Sequence, residues 1–329
     1  VTSDAGIDIA LDPAIHRWAK RIQELASALP DLASGDDPSR RAAEVKLSNR
    51  LASEFTLPAP DDVAVIRETV STPAGPLDIH RYRPSGLPAL APTQLALHGG
   101  GFVSGSIREE VNARLLSARA RAAGIQVIAL EYRLAPEHPY PAAVDDAIGA
   151  IRALRASPEL HGVDLPRLGI GGNSAGGGIA ASTAFRLRDL GENVLIHQAL
   201  EVPALTMRPF GESAHAYARG FGLDDHERLA AAYLGPDVPP DPYASPVDVD
   251  DLSGLPPTLV HVAEHDPLRD AALEFARRLA DVGVRNRVEV GAGHVHGSPA
   301  LTATFDAARA WQRTEALALA EAYGTTPNL

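Results

Sequence analysis

The decapeptide GIGGNSAGGG, residues 169–178, sets six glycines around one serine. Such bareness serves either close approach of main chain to a phosphate or clearance around a nucleophile. A Walker-type phosphate loop needs a lysine and then serine or threonine after its second glycine, and residues 169–178 hold no lysine. A dinucleotide fingerprint needs glycine at the first, third and sixth positions, and counted from Gly169 the sixth is Ser174. The stretch Gly172, Asn173, Ser174, Ala175, Gly176 does satisfy GxSxG, the pattern of a serine held on a sharp strand-to-helix turn. An ordinary tight turn satisfies it as well, so the chemistry depends on partners elsewhere in the chain.

A serine hydroxyl is a poor nucleophile until a base takes its proton, and that base needs a third group to orient it. Downstream of Ser174, the segment HVAEHDPLRD places Asp266 just past the end of an apolar strand pattern. Glu264 and Asp270 flank it, but strand and helix periodicity turn them to other faces. Beyond the last strand, GAGHVHG offers His294 and His296 as bases. Upstream, HGGGF at 98–102 follows another apolar strand. Its glycines allow the N–H groups of Gly100 and Gly101, with that of Ala175, to face a developing oxyanion. Removing one such donor costs about 2.7–4 kcal/mol of transition-state stabilisation. His98 is read as the residue that fixes this loop by hydrogen bonding. Phe102, Phe210, His215, Phe221 and Tyr233 are the candidate substrate-pocket residues.

These groups need a scaffold that brings them to one edge. Two amphipathic helices open the chain, one in PAIHRWAKRIQELASALP and one in DDPSRRAAEVKLSNRLASEF, the second with Asp37 as N-cap. VAVIRETV and LDIHRYRP alternate as antiparallel strands. Strand and helix patterns then take turns: TQLALH, a helix from 109, IQVIALEY, a helix from 141, RLGIGGNS, a helix from 175, and VLIHQALEV. After a break come PPTLVHVAEHD, the helix DAALEFARRLADVG, RNRVEV, a loop, and a last helix from about 299 to 322. The alternation predicts an α/β protein with a mostly parallel eight-stranded sheet and helices on both faces. Residues 203–252, rich in Pro, Gly and Asp, interrupt it and read as an inserted cap. Ligands bind at the carboxyl edge of such sheets, where Ser174 would stand.

The chain has 329 residues, 45% of them hydrophobic, enough for one α/β domain with an added subdomain. No apolar run reaches the roughly 20 residues of a membrane span, and the first residues lack a secretory pattern, so cytoplasmic residence is expected. A formal charge of −12 without a basic cluster argues against nucleic acid as partner. The absence of cysteine removes thiolate chemistry.

The segments HGGGFVSGS, EYRLAPEHPYPAAVDD, GNSAGG, DPLRD and the HG of HVHGS resemble the hormone-sensitive-lipase-like (bacterial type IV) carboxylesterases of the α/β-hydrolase superfamily. LEVPAL and HGSPALTAT look like the branch that includes bacterial heroin esterase. The resemblance implies Ser174 as nucleophile, His296 as base, Asp266 as its carboxylate, and Gly100, Gly101 and Ala175 as oxyanion donors. It also implies a helical cap made of residues 1–60 and 203–252 over a catalytic domain of 61–202 and 253–329. A small ester with an acyl chain from acetyl to about hexanoyl is the implied substrate, no cofactor is required, and a homodimer through the edge strand near RNRVEV is implied. The chain departs from the family at Asn173, where Asp is common, and at Ser298, where Phe is common and where a change of pocket shape is expected. His294 is an extra imidazole beside the base. The charges in EYRLAPEH and at Asp145 and Asp146 are read as a structural network.

Other readings share these residues. An amidase or deacetylase could use the same triad. A small-molecule receptor could keep the pocket without turnover; some plant hormone receptors that resemble this family lack the base, whereas Ser174, Asp266 and His296 are all in place here. Zinc could bind His261, His265 and Asp266, or His294 and His296, but no HExxH motif accompanies them.

Overall fold

A computed structural model describes residues 9–35, 37–219, 223, 226–236 and 241–329. Eight strands, β1 (Val63–Thr72), β2 (Gly75–Pro84), β3 (Ala91–Leu97), β4 (Gln126–Leu130), β5 (Val163–Asn173), β6 (Gln198–Glu201), β7 (Thr258–His265) and β8 (Asn286–Val295), form one sheet. Their spatial order is β1-β2-β4-β3-β5-β6-β7-β8. The two pairings made by β2 are antiparallel, and β3 to β8 pair in parallel.

Alternation along the strands sends side chains to two cores. Leu95, Leu97, Ile128, Leu130, Ile170 and Val260 enter the larger one. There they meet helices α4 (Ala142–Ala156), α5 (Ala175–Asp189) and α7 (Arg269–Asp281). Ala96, Val127, Ala129, Ala199 and Leu259 point the other way, onto α3 (Glu110–Ala123) and α8 (Asp306–Tyr323). Full burial of each Leu, Ile or Val contributes about 1.5–3 kcal/mol, which is why these strands read as apolar on both faces.

The opening helices α1 (Pro13–Ala26) and α2 (Asp37–Phe55) lie over the carboxyl edge of the sheet. Asp12 caps α1, its Oδ1 accepting from the Ala14 N–H at 2.7 Å, with Pro13 in the first turn. Leu11 and Ile15 pack on Val295, Leu301 and Phe305, so α1 braces the turn after β8. Asp37 sits within the first turn of α2, where it pairs with Arg40, and is not a cap outside the helix. Helix α6 (His226–Leu234) comes from the interrupting segment. Residues 242–252 of that segment pack inward, with Val247, Val249 and Leu252 in the larger core.

Two further expectations change. The glycine-rich GAGHV is not a loop, because β8 continues through it to Val295 with a register shift between Ala263 and His265 on β7. Gly293, at φ 71°, supplies the left-handed residue that such a bulge uses. The last helix starts at Asp306, not near 299, because Ser298–Ala300 forms a separate 3₁₀ turn. Among the described residues, no helix is long and apolar enough to cross a membrane.

Candidate active site

β5 ends at Asn173 and α5 begins at Ala175, leaving Ser174 alone between them at φ 54° and ψ −121°. A non-glycine residue in that region stores about 1–3 kcal/mol of strain, and the surroundings must hold it there. The Ser174 N–H donates to the Glu201 carbonyl at 2.9 Å, and the Ser174 carbonyl accepts from Ala204 at 3.0 Å. Gly176 is forced by the same turn: a Cβ there would lie 2.1 Å from the Leu97 carbonyl oxygen. GxSxG is therefore a steric demand of α5 passing close over the end of β3.

Ser174 Oγ lies 2.9 Å from Nε2 of His296, and Nδ1 of His296 lies 2.8 Å from Oδ2 of Asp266. Asp266 is 1% exposed, and its other oxygen accepts from the Leu268 N–H at 2.9 Å, so both sides of the carboxylate are fixed. Burial alone would push the His296 imidazole down. The charge of Asp266 and its hydrogen bond outweigh burial and hold the ring above the ordinary value of 6.5. A relay of this form lets imidazole take the hydroxyl proton while the carboxylate stabilises the imidazolium.

His294 goes elsewhere. Its Nδ1 shares a 2.7 Å hydrogen bond with Ser298 Oγ, and its ring packs between Phe305 and Trp311. Burial pushes it down to about 4, so it stays neutral. Strand alternation would set His294 and His296 on one side, but β8 ends at Val295 and His296 stands in the turn beyond. Ser298 accounts for that turn. It is fully buried, accepts from the Val295 N–H at 3.0 Å and does not border the cleft, so it shapes the histidine turn and not the pocket wall. Glu264 accepts from Gly293 N–H and Asp270 from Ser213 N–H, both away from His296. His261 stacks on Trp311 with ring centroids 3.4 Å apart.

The loop after β3 folds back on itself. The Gly100 carbonyl accepts from Val103 at 3.2 Å and Ser104 at 2.9 Å. Gly100 has φ 129°, and a Cβ on it would fall 2.1 Å from the Ser104 carbonyl oxygen. Hydrogen bonds among the described residues leave the N–H groups of Gly100, Gly101 and Ala175 without an acceptor. All three residues border cavities that contain Ser174. His98 holds the loop as expected from its position: Nδ1 meets the Gly99 carbonyl at 2.8 Å and the ring stacks on Tyr132. Burial lowers its pKa, which keeps it neutral. The amide of Asn173 packs on Gly99, where a Cβ would come 2.8 Å from Nδ2.

The charged segment around β4 is a scaffold. Arg133 pairs with the fully buried Asp146 at 2.8 Å, and Glu131 accepts from Ser106 and Ile107 on the oxyanion-side loop. Arg41 on α2 donates to the Val103 and Ala135 carbonyls, tying that helix to the same loop.

A cleft of about 560 Å³ opens over Ser174 and His296. Its far walls come from α1, α2 and α6, through Trp18, Arg40, Glu44, Leu47, Leu51 and Leu229. A recess of about 10 Å³ also borders Ser174, on Ala175, Phe102 and Met207 and without His296. Of the five pocket candidates, Phe102 borders this recess and stacks on Tyr233 at 3.9 Å. Tyr233 is buried behind it, where α6 turns it inward onto Tyr140, and does not reach the cleft. Phe210 lines a separate cavity of about 370 Å³ that borders neither Ser174 nor His296, with the Arg208 guanidinium 5.5 Å from its ring centre. His215, on a one-turn helix, is exposed to solvent. Phe221 lies outside the described residues.

Residues 94–300 match the family model described as alpha/beta hydrolase fold. The chain is 36% identical over 247 residues to the esterase LipI of Mycobacterium tuberculosis, covering 73% of this chain and 76% of that protein. It superposes on the ester-hydrolase EH1AB1 from the metagenome of Lake Arreo with TM-score 0.87 and 33% identity, covering 96% and 100% of the two chains. An esterase of the bacterial hormone-sensitive lipase family superposes with TM-score 0.81 and 31% identity, covering 96% and 100%.

Proposed function

Because the chain belongs to the α/β-hydrolase family, in its hormone-sensitive-lipase-like esterase branch, we propose that it hydrolyses short-chain carboxylic esters through an acyl-enzyme on Ser174. The observation that carries this reading is the continuous contact from Ser174 Oγ through His296 to Asp266, beside unsatisfied main-chain N–H groups.

In the first half-reaction His296 Nε2 takes the Ser174 proton as Oγ attacks the ester carbonyl. The N–H groups of Gly100, Gly101 and Ala175 receive the oxyanion. His296 passes the proton to the alkoxide, the carbon–oxygen bond breaks and the alcohol leaves. In the second half a water gives its proton to His296, its oxygen attacks the acyl carbon, and Ser174 departs with the proton restored. One water is consumed, and one acid and one alcohol are formed. The proposed cap, residues 1–60 and 203–252, acts chiefly through α1, α2 and α6, which wall the cleft over the domain of 61–202 and 253–329.

A p-nitrophenyl ester series tests the reading. Turnover is expected for chains up to about six carbons, and a preference for ten or more would overturn it, since a walled cleft has no broad lipid-facing surface.

The pH profile of kcat/KM follows from His296. The base acts only when neutral, and its pKa lies above 6.5. Activity is therefore full above that pKa and is lost as pH falls through it. The acid limb is expected to centre above 6.5, and a midpoint well below it would contradict the pairing with Asp266.

A homodimer through β8 belongs to the same proposal. β8 is an edge strand with Val288 and Val290 exposed by 40% and 52% on one face, a surface that invites pairing. Light scattering at micromolar concentration is expected to give twice the chain mass, and a monomer would refute it.

A further inference from the structure

The ester carbon attacked by Ser174 carries four groups once tetrahedral: Oγ, the oxyanion, the leaving oxygen and the acyl substituent. Two of their directions are set by Ser174 and by the N–H groups. The other two must use the spaces on either side, and those spaces differ greatly in size. His296 has to hand its proton to the leaving oxygen, so the alcohol lies on the side that His296 borders. That side is the cleft of about 560 Å³. The acyl substituent is left with the recess of about 10 Å³, which touches Ser174, Ala175 and Gly101 but not His296.

A space that small holds about one water-sized group. Its apolar walls include Phe102, Met207, Leu223, Leu229 and Leu268, and three of them have contacts that hold them in place. Phe102 stacks on Tyr233, and Met207 N–H donates to Ser245 Oγ at 3.0 Å. Leu229 presses on Gly101, where a Cβ would meet it at 2.7 Å. His226, another wall residue, is tied through Nε2 to the Thr206 carbonyl at 3.1 Å. Leu223, His226 and Leu268 also border the cavity of about 370 Å³ beyond, so a longer acyl chain would have to displace them to enter it. The alcohol side is the opposite in character. Trp18, Leu47 and Leu51 offer apolar surface, while Arg40, Glu44 and Glu109 interleave polar groups. Glu44 borders the cleft with Oε1 3.9 Å from Nε of Arg40, and its buried Oε2 has no hydrogen-bond partner among the described residues.

We propose that this chain is selective for acetyl esters of bulky alcohols that carry hydrogen-bonding groups, with Met207 and Leu268 closing the acyl side and Glu44 reading the alcohol. The inference rests on the esterase reading above and narrows it from short acyl chains to acetyl. One extra methylene against a closed apolar wall is worth about 10–200-fold in kcat/KM.

The test uses the full chain with p-nitrophenyl acetate, butyrate and hexanoate. Separately, ethyl acetate, cyclohexyl acetate and 6-O-acetylglucose are compared at constant acyl group. Acetate is expected to exceed butyrate by at least about tenfold, and Met207→Ala to narrow that ratio by about tenfold. Leu268→Ala opens the same recess from another wall and serves if the first variant fails to fold. Acetylglucose is expected to be the best of the three acetates and to lose its lead in Glu44→Gln. Butyrate or hexanoate preferred by the unaltered chain would overturn the acyl assignment. Ethyl acetate or cyclohexyl acetate preferred over acetylglucose would overturn the alcohol assignment. Either result with turnover intact leaves the esterase reading standing, whereas no turnover of any ester and no fluorophosphonate adduct removes the esterase reading itself.

Discussion

Ser174→Ala is expected to lower kcat for p-nitrophenyl acetate by about 10⁶-fold, equivalent to about 8 kcal/mol of transition-state stabilisation. The variant keeps the fold for a stated reason. Alanine retains the Cβ that the turn at φ 54° already accommodates, and the main-chain bonds to Glu201 and Ala204 are untouched. What disappears is the atom proposed to form the acyl bond, together with its 2.9 Å contact to His296. Residual catalysis of about 10³–10⁴ over water is expected from the oxyanion donors and substrate positioning. KM should change little, because the cleft walls come from α1, α2 and α6. A loss below a hundredfold, with the fold intact by circular dichroism, would mean that Ser174 is not the nucleophile.

His296→Ala is expected to cost nearly as much, about 10⁶-fold in kcat, because the members of such a relay act as a unit. His294→Ala is the informative contrast. His294 is the closer match to a structural core residue, 1% exposed between Phe305 and Trp311 and bonded to Ser298. Its removal should lower the melting temperature while leaving kcat within about tenfold, since its ring touches none of the reacting groups. Equal losses from the two variants, measured on folded protein, would put the base assignment in doubt.

Much of the relay could be read from the chain because sterics and order are local properties. GxSxG announces a helix passing close to a strand, and the Cβ distances at Gly176 show why only glycine fits. HGGGF likewise announces a loop that needs φ 129° at Gly100. Asp266 and His296 follow strand ends, and strand ends are where a parallel sheet collects its chemistry. The walls of the cleft were much less legible. On α2, Arg40, Glu44, Leu47, Leu51 and Phe55 recur at spacings of three and four and share the cleft face. The stripe mixes charged with apolar residues, so it does not stand out as an apolar face, yet its period was a usable signal. Phe210, His215 and Tyr233 qualify as pocket residues by type alone, and type does not say which way a short cap segment turns its side chains. At the end of β8 the glycines signal a loop in sequence, although the strand continues through them. In place they admit a bulge and let Trp311 pack over Gly291, where a Cβ would fall 2.4 Å from the indole. The family resemblance points to Ser298 as a pocket residue, whereas in the structure it is the tie that sets the histidine turn.

The most direct test of the account is intact-protein mass after exposure to a fluorophosphonate, run on the native chain, Ser174→Ala and His296→Ala. One adduct on the native chain, none on Ser174→Ala and a slowed one on His296→Ala is the predicted result. An adduct that persists in Ser174→Ala, or none on a native chain that also fails to turn over p-nitrophenyl acetate, would contradict it.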